Sequence, residues 1–284
     1  MLIWFESNLE FGAHKSFLQT KERTMGIRTT FLRLYWLLSA QFGVDPRKTI
    51  RSLRGLPRYV RDFFRFRANY GGRLELMPCL HDWYEEGGTT KSEYFWQDLL
   101  VARMIFAARP ERHVDIGSRV DGFVAHVASF RDIEVFDVRP IPTKIPGVTF
   151  KQADLMNPVL EMENYCDSLS CLHALEHFGL GRYGDPLDPR GYELGIQNMA
   201  RILRPGGVFY LSVPVGIERV EFNAHRVFDP NTIVGVAESN QLQLREFSLF
   251  SAESGLVEVD ASLETLDAVS KRRYGLGVFT FIKQ

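Results

Sequence analysis

From His113 onward, short apolar runs alternate with stretches whose apolar residues recur at helical spacing. The runs predict strands at His113–Ile116, Glu134–Val138, Val148–Gln152, Ser168–Leu172, Val208–Pro214, Leu242–Phe250 and Gly277–Ile282. Helices are predicted between them, notably Asp121–Phe130 and Gly191–Leu203. Strands alternating with helices predict an α/β protein with a parallel sheet. The last two runs lie close together in a mostly β tail, which predicts an antiparallel closure of one edge. Upstream, Ser92–Ala108 has Tyr94, Leu99, Ala102 and Ile105 at helical spacing and stops before Pro110.

The first third reads differently. Thr29–Phe42 carries Phe31, Leu34, Tyr35 and Leu38 on one helical face. Asp45-Pro46 is an N-cap followed by proline at the first helical position. Leu56-Pro57 predicts an interruption, Tyr59–Ala68 a second helix, Asn69–Gly72 a break, and Gly87-Gly88 a loop. Charge separates this part from the rest. Lys15–Glu75 holds fourteen Lys/Arg against four Asp/Glu, whereas Leu76 to the end holds twenty against twenty-nine. Arginines interleave with aromatics in Arg58, Tyr59, Arg61, Phe63, Phe64, Arg65, Phe66 and Arg67. This segment reads as a helical cap with a solvated basic face, or as a peripheral contact with an anionic membrane surface. Nucleic-acid binding fits least, because the remainder is acidic and no recognised nucleic-acid motif is present. Three cysteines without a CxxC pair predict a reducing, cytoplasmic setting rather than a disulfide framework. No apolar run is long enough to span a bilayer. Residues 1–24 lack the pattern of a signal peptide and precede a more regular segment starting at Met25, which points to a misassigned start.

Candidate chemistry concentrates where strands end. Val114-Asp115-Ile116-Gly117-Ser118-Arg119 is a strand running through an acid into a glycine before a helix, the layout of a nucleotide cradle. Asp137 closes the next strand 22 residues after Asp115, a spacing at which a carboxylate accepts from two ribose hydroxyls. Asp154 follows the third strand, where it is placed to accept from an adenine amino group.

This series resembles the class I S-adenosylmethionine-dependent methyltransferases. Arg204-Pro205-Gly206-Gly207 before a strand ending in Ser212-Val213-Pro214 is similar to that family's turn into its fifth strand, and Leu175-Glu176-His177 to its "LEH" segment. The resemblance covers residues 113–284. It implies a Rossmann-like, seven-stranded, mostly parallel sheet with an antiparallel C-terminal edge strand, preceded by a helical N-terminal extension. The implied organisation is a basic extension over 25–72, a helical lead-in over 73–112 and a cofactor domain over 113–284. The implied cofactor is S-adenosyl-L-methionine, held by Asp115, Gly117, Ser118, Arg119, Asp137, Asp154 and Leu155. Ser118-Arg119 departs from the family's usual Gly-x-Gly, and Arg119 either pairs with the methionine carboxylate or crowds the pocket. Ser168–Asp185 with Asn223-Ala224-His225-Arg226 also resembles a methyltransferase-like family found among surface-polysaccharide genes, which implies a saccharide or other small-molecule acceptor.

His173-Ala174-Leu175-Glu176-His177 also matches H-x-x-E-H, a zinc-peptidase pattern. That chemistry needs both histidines on one helical face, and His173 here directly follows a strand, so no metal site is expected. A hydroxyl acceptor needs a base with a pKa near neutrality, which makes His177 the first candidate, His173 the second, and Asp185 or His225 alternatives. Glu176 and His177 equally read as loop-stabilising groups. Glu176, Tyr183, Arg190, His225 and Arg226 are the candidate acceptor-binding residues, the last as an anion holder or a surface ion pair. The loop Gly179–Gly191, with four glycines and two prolines, reads either as an acceptor-binding lid or as a rigid turn. A binding module without turnover is the alternative to an enzyme. A nicotinamide dehydrogenase ranks third, because only Gly117 and Gly122 stand where Gly-x-Gly-x-x-Gly is wanted.

Overall fold

The computed structural model describes residues 34–35, 37–85, 90–158, 160–251 and 255–284. The predicted start region 1–24, the first turns of Thr29–Phe42 and the Gly87-Gly88 loop lie outside them. The chain divides into two compact units, Met1–Gly88 and Thr89–Gln284.

In the first unit, α1 runs from Pro46 to Asn69. Asp45 caps it, accepting from the backbone N–H groups of Arg47 at 2.9 Å and Lys48 at 3.2 Å, and Pro46 sits in the first turn as expected. The predicted break at Pro57 is absent: α1 passes straight through it. Proline removes one helical hydrogen bond, and the 24-residue helix tolerates that loss on an exposed face. Gly55 is the one buried α1 residue, because the Leu80 carbonyl lies against its Cα; a Cβ there would sit 1.9 Å from that oxygen.

The second unit begins with α2 (Glu93–Ala108), capped by Ser92 and closed by Arg109 in the left-handed region. The sheet then forms from β1 (His113–Ile116), β2 (Ile133–Asp137), β3 (Val148–Gln152), β4 (Cys166–Leu172) and β5 (Leu203–Val215), all parallel. A short helical stretch, Val120–Ala128, links β1 to β2, and α3 (Gly191–Ile202) precedes β5. After β5 come the hairpin β6 (Arg219–Glu221) and β7 (His225–Val227), α4 (Pro230–Ser239), β8 (Leu242–Ser251), β9 (Gly255–Val259), α5 (Leu263–Ser270) and β10 (Gly275–Lys283). The main sheet is ordered β3-β2-β1-β4-β5-β10-β8-β9. It is the expected Rossmann-like sheet with one strand more than expected. The antiparallel C-terminal strand is not the edge: β10 lies between β5 and β8, and β9 closes the border. Arg204–Gly207 is a bulge within β5 rather than a free turn, between the pairs Cys166–Leu203 and Ser168–Val208.

Alternation along the strands gives each sheet face its own core. On one face Val135, Leu172 and Tyr210 pack with Val101 and Ile105 of α2 and with Phe123 and Val127. On the other, Phe136, Cys171, Phe209 and Leu211 pack with Ile196 and Met199 of α3, Ile233 of α4 and Leu266 of α5. The chain leaves β1 toward β2 and β3, then crosses back to place β4 on β1's other side. The loops leaving β1 and β4 therefore diverge, opening a crevice at the strand C-termini where ligands bind in open α/β sheets.

Candidate active site

A cavity of about 310 Å³ occupies that crevice. Gly117, at φ +68°, turns the chain at the end of β1 and anchors its N–H on the Phe136 carbonyl at 2.8 Å. A Cβ at this glycine would stand 3.0 Å from the Ala174 Cβ, so only glycine keeps both loops this close. Beside it, Ile116, Phe136, Val138, Ala153, Leu155 and Met156 make an apolar wall, with Asp137 and Asp154 as its carboxylates. Asp154 accepts from Met156 N–H and from the Asn157 side-chain amide, both at 2.9 Å. Asp137 is held by Arg139: Oδ1 accepts from the Arg139 backbone N–H at 2.8 Å and from Nε at 3.1 Å, and Oδ2 from Nη2 at 2.9 Å. The same guanidinium lies 4.2 Å from the centre of the Tyr183 ring, on the loop beyond β4.

The opposite end is built around two histidines and one buried carboxylate. His173 leaves β4 at φ +52°, a strained conformation for a non-glycine residue and one that clusters at functional sites. Its backbone N–H is fixed by Ser212, whose hydroxyl donates to Gln97 of α2. Its Nδ1 lies 2.7 Å from Glu176 Oε1, its Nε2 3.3 Å from Glu93 Oε1, and its ring stacks on Tyr94 at 4.5 Å. Burial works against the charged ring, but the two carboxylates win and push its pKa up to about 9. They in turn are held below the usual carboxylate range despite burial, Glu176 by His173 first and Glu93 by the same imidazolium. Glu93 also accepts from the Tyr274 hydroxyl at 2.7 Å.

His177 titrates the other way. Burial lowers its pKa, and Glu176 only partly opposes that. Its Nδ1 is 2.7 Å from the Ala224 carbonyl oxygen, which can only accept, so the proton of the neutral ring sits on Nδ1 and Nε2 carries the lone pair. Nε2 is 3.7 Å from Glu176 Oε1. Glu176 Oε2 is buried with no hydrogen-bond partner.

The crevice collects most of the residues singled out from sequence: Gly117, Arg119, Asp137, Asp154, Leu155, His173, Glu176, His177, Tyr183, Asp185 and His225 all line it. Arg119 does not obstruct it; its guanidinium forks onto Asp121 at 2.8 and 3.1 Å and lies over Tyr94. Four of the residues lie elsewhere. Asp115 is fully buried beneath the loop, accepting from Ser118 and from the Ser170 hydroxyl, and burial pushes its pKa to about 7. Ser118 is buried with it and also accepts from Leu172 N–H at 3.1 Å, tying the β1 loop to β4. Both act beneath the cradle rather than in it. Arg190 is exposed outside the cavity. Arg226 is 4% exposed, and its guanidinium donates to the carbonyls of Glu176, Phe178, Asp188 and Pro189. It pins the neck of the 179–191 loop and does not line the cavity. The neck is tight at Gly179 as well, where a Cβ would stand 2.0 Å from the Asp188 carbonyl oxygen. Asp185 lines the cavity while capping the loop tip, accepting from the N–H groups of Gly181 and Tyr183 at 3.1 Å.

Glu93, Tyr94, Arg139, Arg182 and Tyr274 also line the cavity and were not singled out from sequence. Arg139 had a local signal, a cation two residues beyond the strand-end acid. Glu93 and Tyr94 open α2 just after its Ser92 cap, and only the fold brings that helix start to the crevice.

A family model described as a Caenorhabditis protein of unknown function, DUF268, matches residues 148–237. No curated protein matches the chain. Among solved structures, a Burkholderia thailandensis 1,6-didemethyltoxoflavin-N1-methyltransferase with bound S-adenosylhomocysteine is similar at 14% identity, over 85% of this chain and 91% of that one, with a TM-score of 0.48. A TehB-like SAM-dependent methyltransferase from Corynebacterium glutamicum is similar at 16% identity, over 80% of this chain and 97% of that one, with a TM-score of 0.46. The [4+2]-cyclase SpnF is similar at 14% identity, over 66% and 81%, with a TM-score of 0.46.

Proposed function

We propose that this chain is an S-adenosylmethionine-dependent methyltransferase that acts on a hydroxyl of a saccharide or sugar-linked acceptor. The observation that carries the reading is one crevice holding a glycine cradle with strand-end acids at one end and a neutral, oriented histidine at the other. The residues fit the cofactor: Gly117 allows close backbone approach, Asp137 suits a ribose diol, and Leu155, Met156 and Val138 with Asp154 suit an adenine. When bound, the cofactor supplies an electrophilic methyl group on a sulfonium.

The rest of the work falls to the chain. His177 is the base: Ala224 fixes its tautomer, and Nε2 takes the acceptor's hydroxyl proton. Glu176, 3.7 Å from Nε2, stabilises the imidazolium that results. His173 is not assigned as the base, because Glu176 and Glu93 push its pKa up to about 9. Glu176 Oε2 is a buried acceptor whose polar cost a donating hydroxyl would relieve. Tyr94, Tyr183 and Tyr274 give this end aromatic surface alongside hydrogen-bonding groups, a combination suited to a sugar.

Calorimetric titration with S-adenosylmethionine, S-adenosylhomocysteine and NAD tests the cofactor half. Binding of the adenosyl ligands and not NAD is expected; no adenosyl binding at millimolar ligand overturns it. With an acceptor from a screen of glycans and nucleotide sugars, His177→Ala is expected to bind cofactor normally and lose about a hundredfold or more in kcat. Full turnover by that variant removes His177 as the base.

A further inference from the structure

Helix α1 carries two straight rows of side chains. Arg47, Arg51, Arg54, Arg58, Arg61 and Arg65 recur at steps of four and three, as do Ile50, Leu53, Pro57, Val60 and Phe64. At about 100° per residue each row spans an arc of about 80°, and the two are centred about 100° apart. Leu56 and Phe63 widen the apolar side. Ile50, Leu53, Leu56, Val60 and Phe64 are 44–66% exposed. Within this unit the neighbouring segment packs elsewhere: Leu80 closes on Gly55, on the opposite side of α1 from the apolar row, and Trp83 stacks under Arg58 at 3.3 Å.

We infer that α1 docks on an anionic lipid surface, with the apolar row immersed and the arginine row at phosphate level. The charge balance selects this occupant. Seven arginines and one lysine face a single acid, Asp62, along 24 residues. Helices that lie in the bilayer interface combine a strongly charged, basic face with an apolar face of residues such as leucine and phenylalanine, and α1 has both. Arginine stems at the border of the apolar arc can reach up to lipid phosphates while their methylenes cover acyl chains. A second copy of the chain suits the face less well. A self-paired helix using the 3-4 apolar row would bring Arg54 and Arg61 to its flanks with no acid opposite them. No helix among the described residues is long and apolar enough to cross a membrane, so the contact is peripheral.

The test is co-sedimentation of the full chain with phosphatidylcholine vesicles, with and without phosphatidylglycerol, alongside light scattering without lipid. Binding is expected only to the anionic vesicles and is expected to weaken with salt. Arg54→Gln with Arg65→Gln should weaken it about thirtyfold, from two lost lipid–cation contacts. Leu53→Ser with Phe64→Ser should abolish it while circular dichroism and cofactor binding stay as in the parent. The inference is overturned if the parent ignores anionic vesicles or binds neutral ones equally. It is also overturned if the serine variant still sediments, or if the parent is a dimer in solution that the serine variant dissolves.

Discussion

Replacing Arg139 by alanine should tighten adenosyl-ligand binding, although it removes a cation from the cavity. A carboxylate offers about four lone-pair sites. In Asp137, both positions on Oδ1 are taken by the Arg139 backbone N–H and Nε, and one on Oδ2 by Nη2. A ribose diol brings two donors, so it must displace the guanidinium or crowd onto Oδ2. The Arg139 side chain is 49% exposed, and solvent screening holds such a bridge to about 1 kcal/mol. Its contact with the Tyr183 ring adds about 0.5–1 kcal/mol. Removing this competition is therefore worth about 1.5–2 kcal/mol, roughly a twelve- to thirtyfold gain. The backbone N–H bond to Oδ1 survives the substitution and keeps Asp137 oriented. Calorimetry with S-adenosylhomocysteine on the parent, Arg139→Ala, Asp137→Asn and the double variant gives both signs and their coupling. Asp137→Asn should weaken binding about tenfold or more. If Arg139→Ala binds no better or worse than the parent, the guanidinium is not a competitor for the ribose position and the reasoning fails.

Two further outcomes follow from the crevice. Gly117→Ala places a Cβ 3.0 Å from the Ala174 Cβ at φ +68°; it should cost about 1–2 kcal/mol of stability and weaken adenosyl binding at least tenfold, read by thermal melts and titration. The folded-state pKa of His173 lies above its unfolded value of 6.5, at about 9, so its stabilisation is complete below pH 6.5 and is lost as pH rises through 9. Melting temperature should therefore fall across that window, and the fall should be smaller and end at lower pH in Glu93→Gln, which removes one of the two carboxylates; a flat profile in the parent contradicts the protonated assignment.

The sheet was legible where apolar runs were long and their neighbours punctuated them. β1 and β3 have the bounds read from sequence, and β8, β10 and β5 extend theirs by one, three and six residues. What escaped was short or half-exposed: β6 and β7 are three-residue strands, β9 is a five-residue strand mostly open at the sheet border, and α4 and α5 are brief. Pro57 misled because a proline signals interruption only when the helix cannot do without one hydrogen bond. In the site, the spacing of strand-end acids is local information, and Asp137 and Asp154 do line the crevice. Whether an acid points into the crevice or under it is tertiary information. Asp115 turns inward because Ser118 and Ser170 offer it hydroxyls, a pairing 55 residues long in the second case. Glu93 and Tyr274 meet across 181 residues, beyond any motif.

That long-range contact matters for the chemistry. One buried carboxylate, Glu176, serves two histidines only four residues apart in sequence, and by itself it would raise both. The fold separates them. Glu93 supplies a second carboxylate to His173 and none to His177, while Arg182, donating to the same Ala224 carbonyl at 2.7 Å, places a positive charge beside His177. With burial lowering His177 first, the pair is sorted into a protonated imidazole at His173 and a neutral one at His177. The H-x-x-E-H pattern does not encode this division. It depends on a helix start and a tyrosine contributed from opposite ends of the second unit, so a substitution at Glu93, which pairs with His173 and not with His177, should still shift the pH profile of turnover through His173 and Glu176.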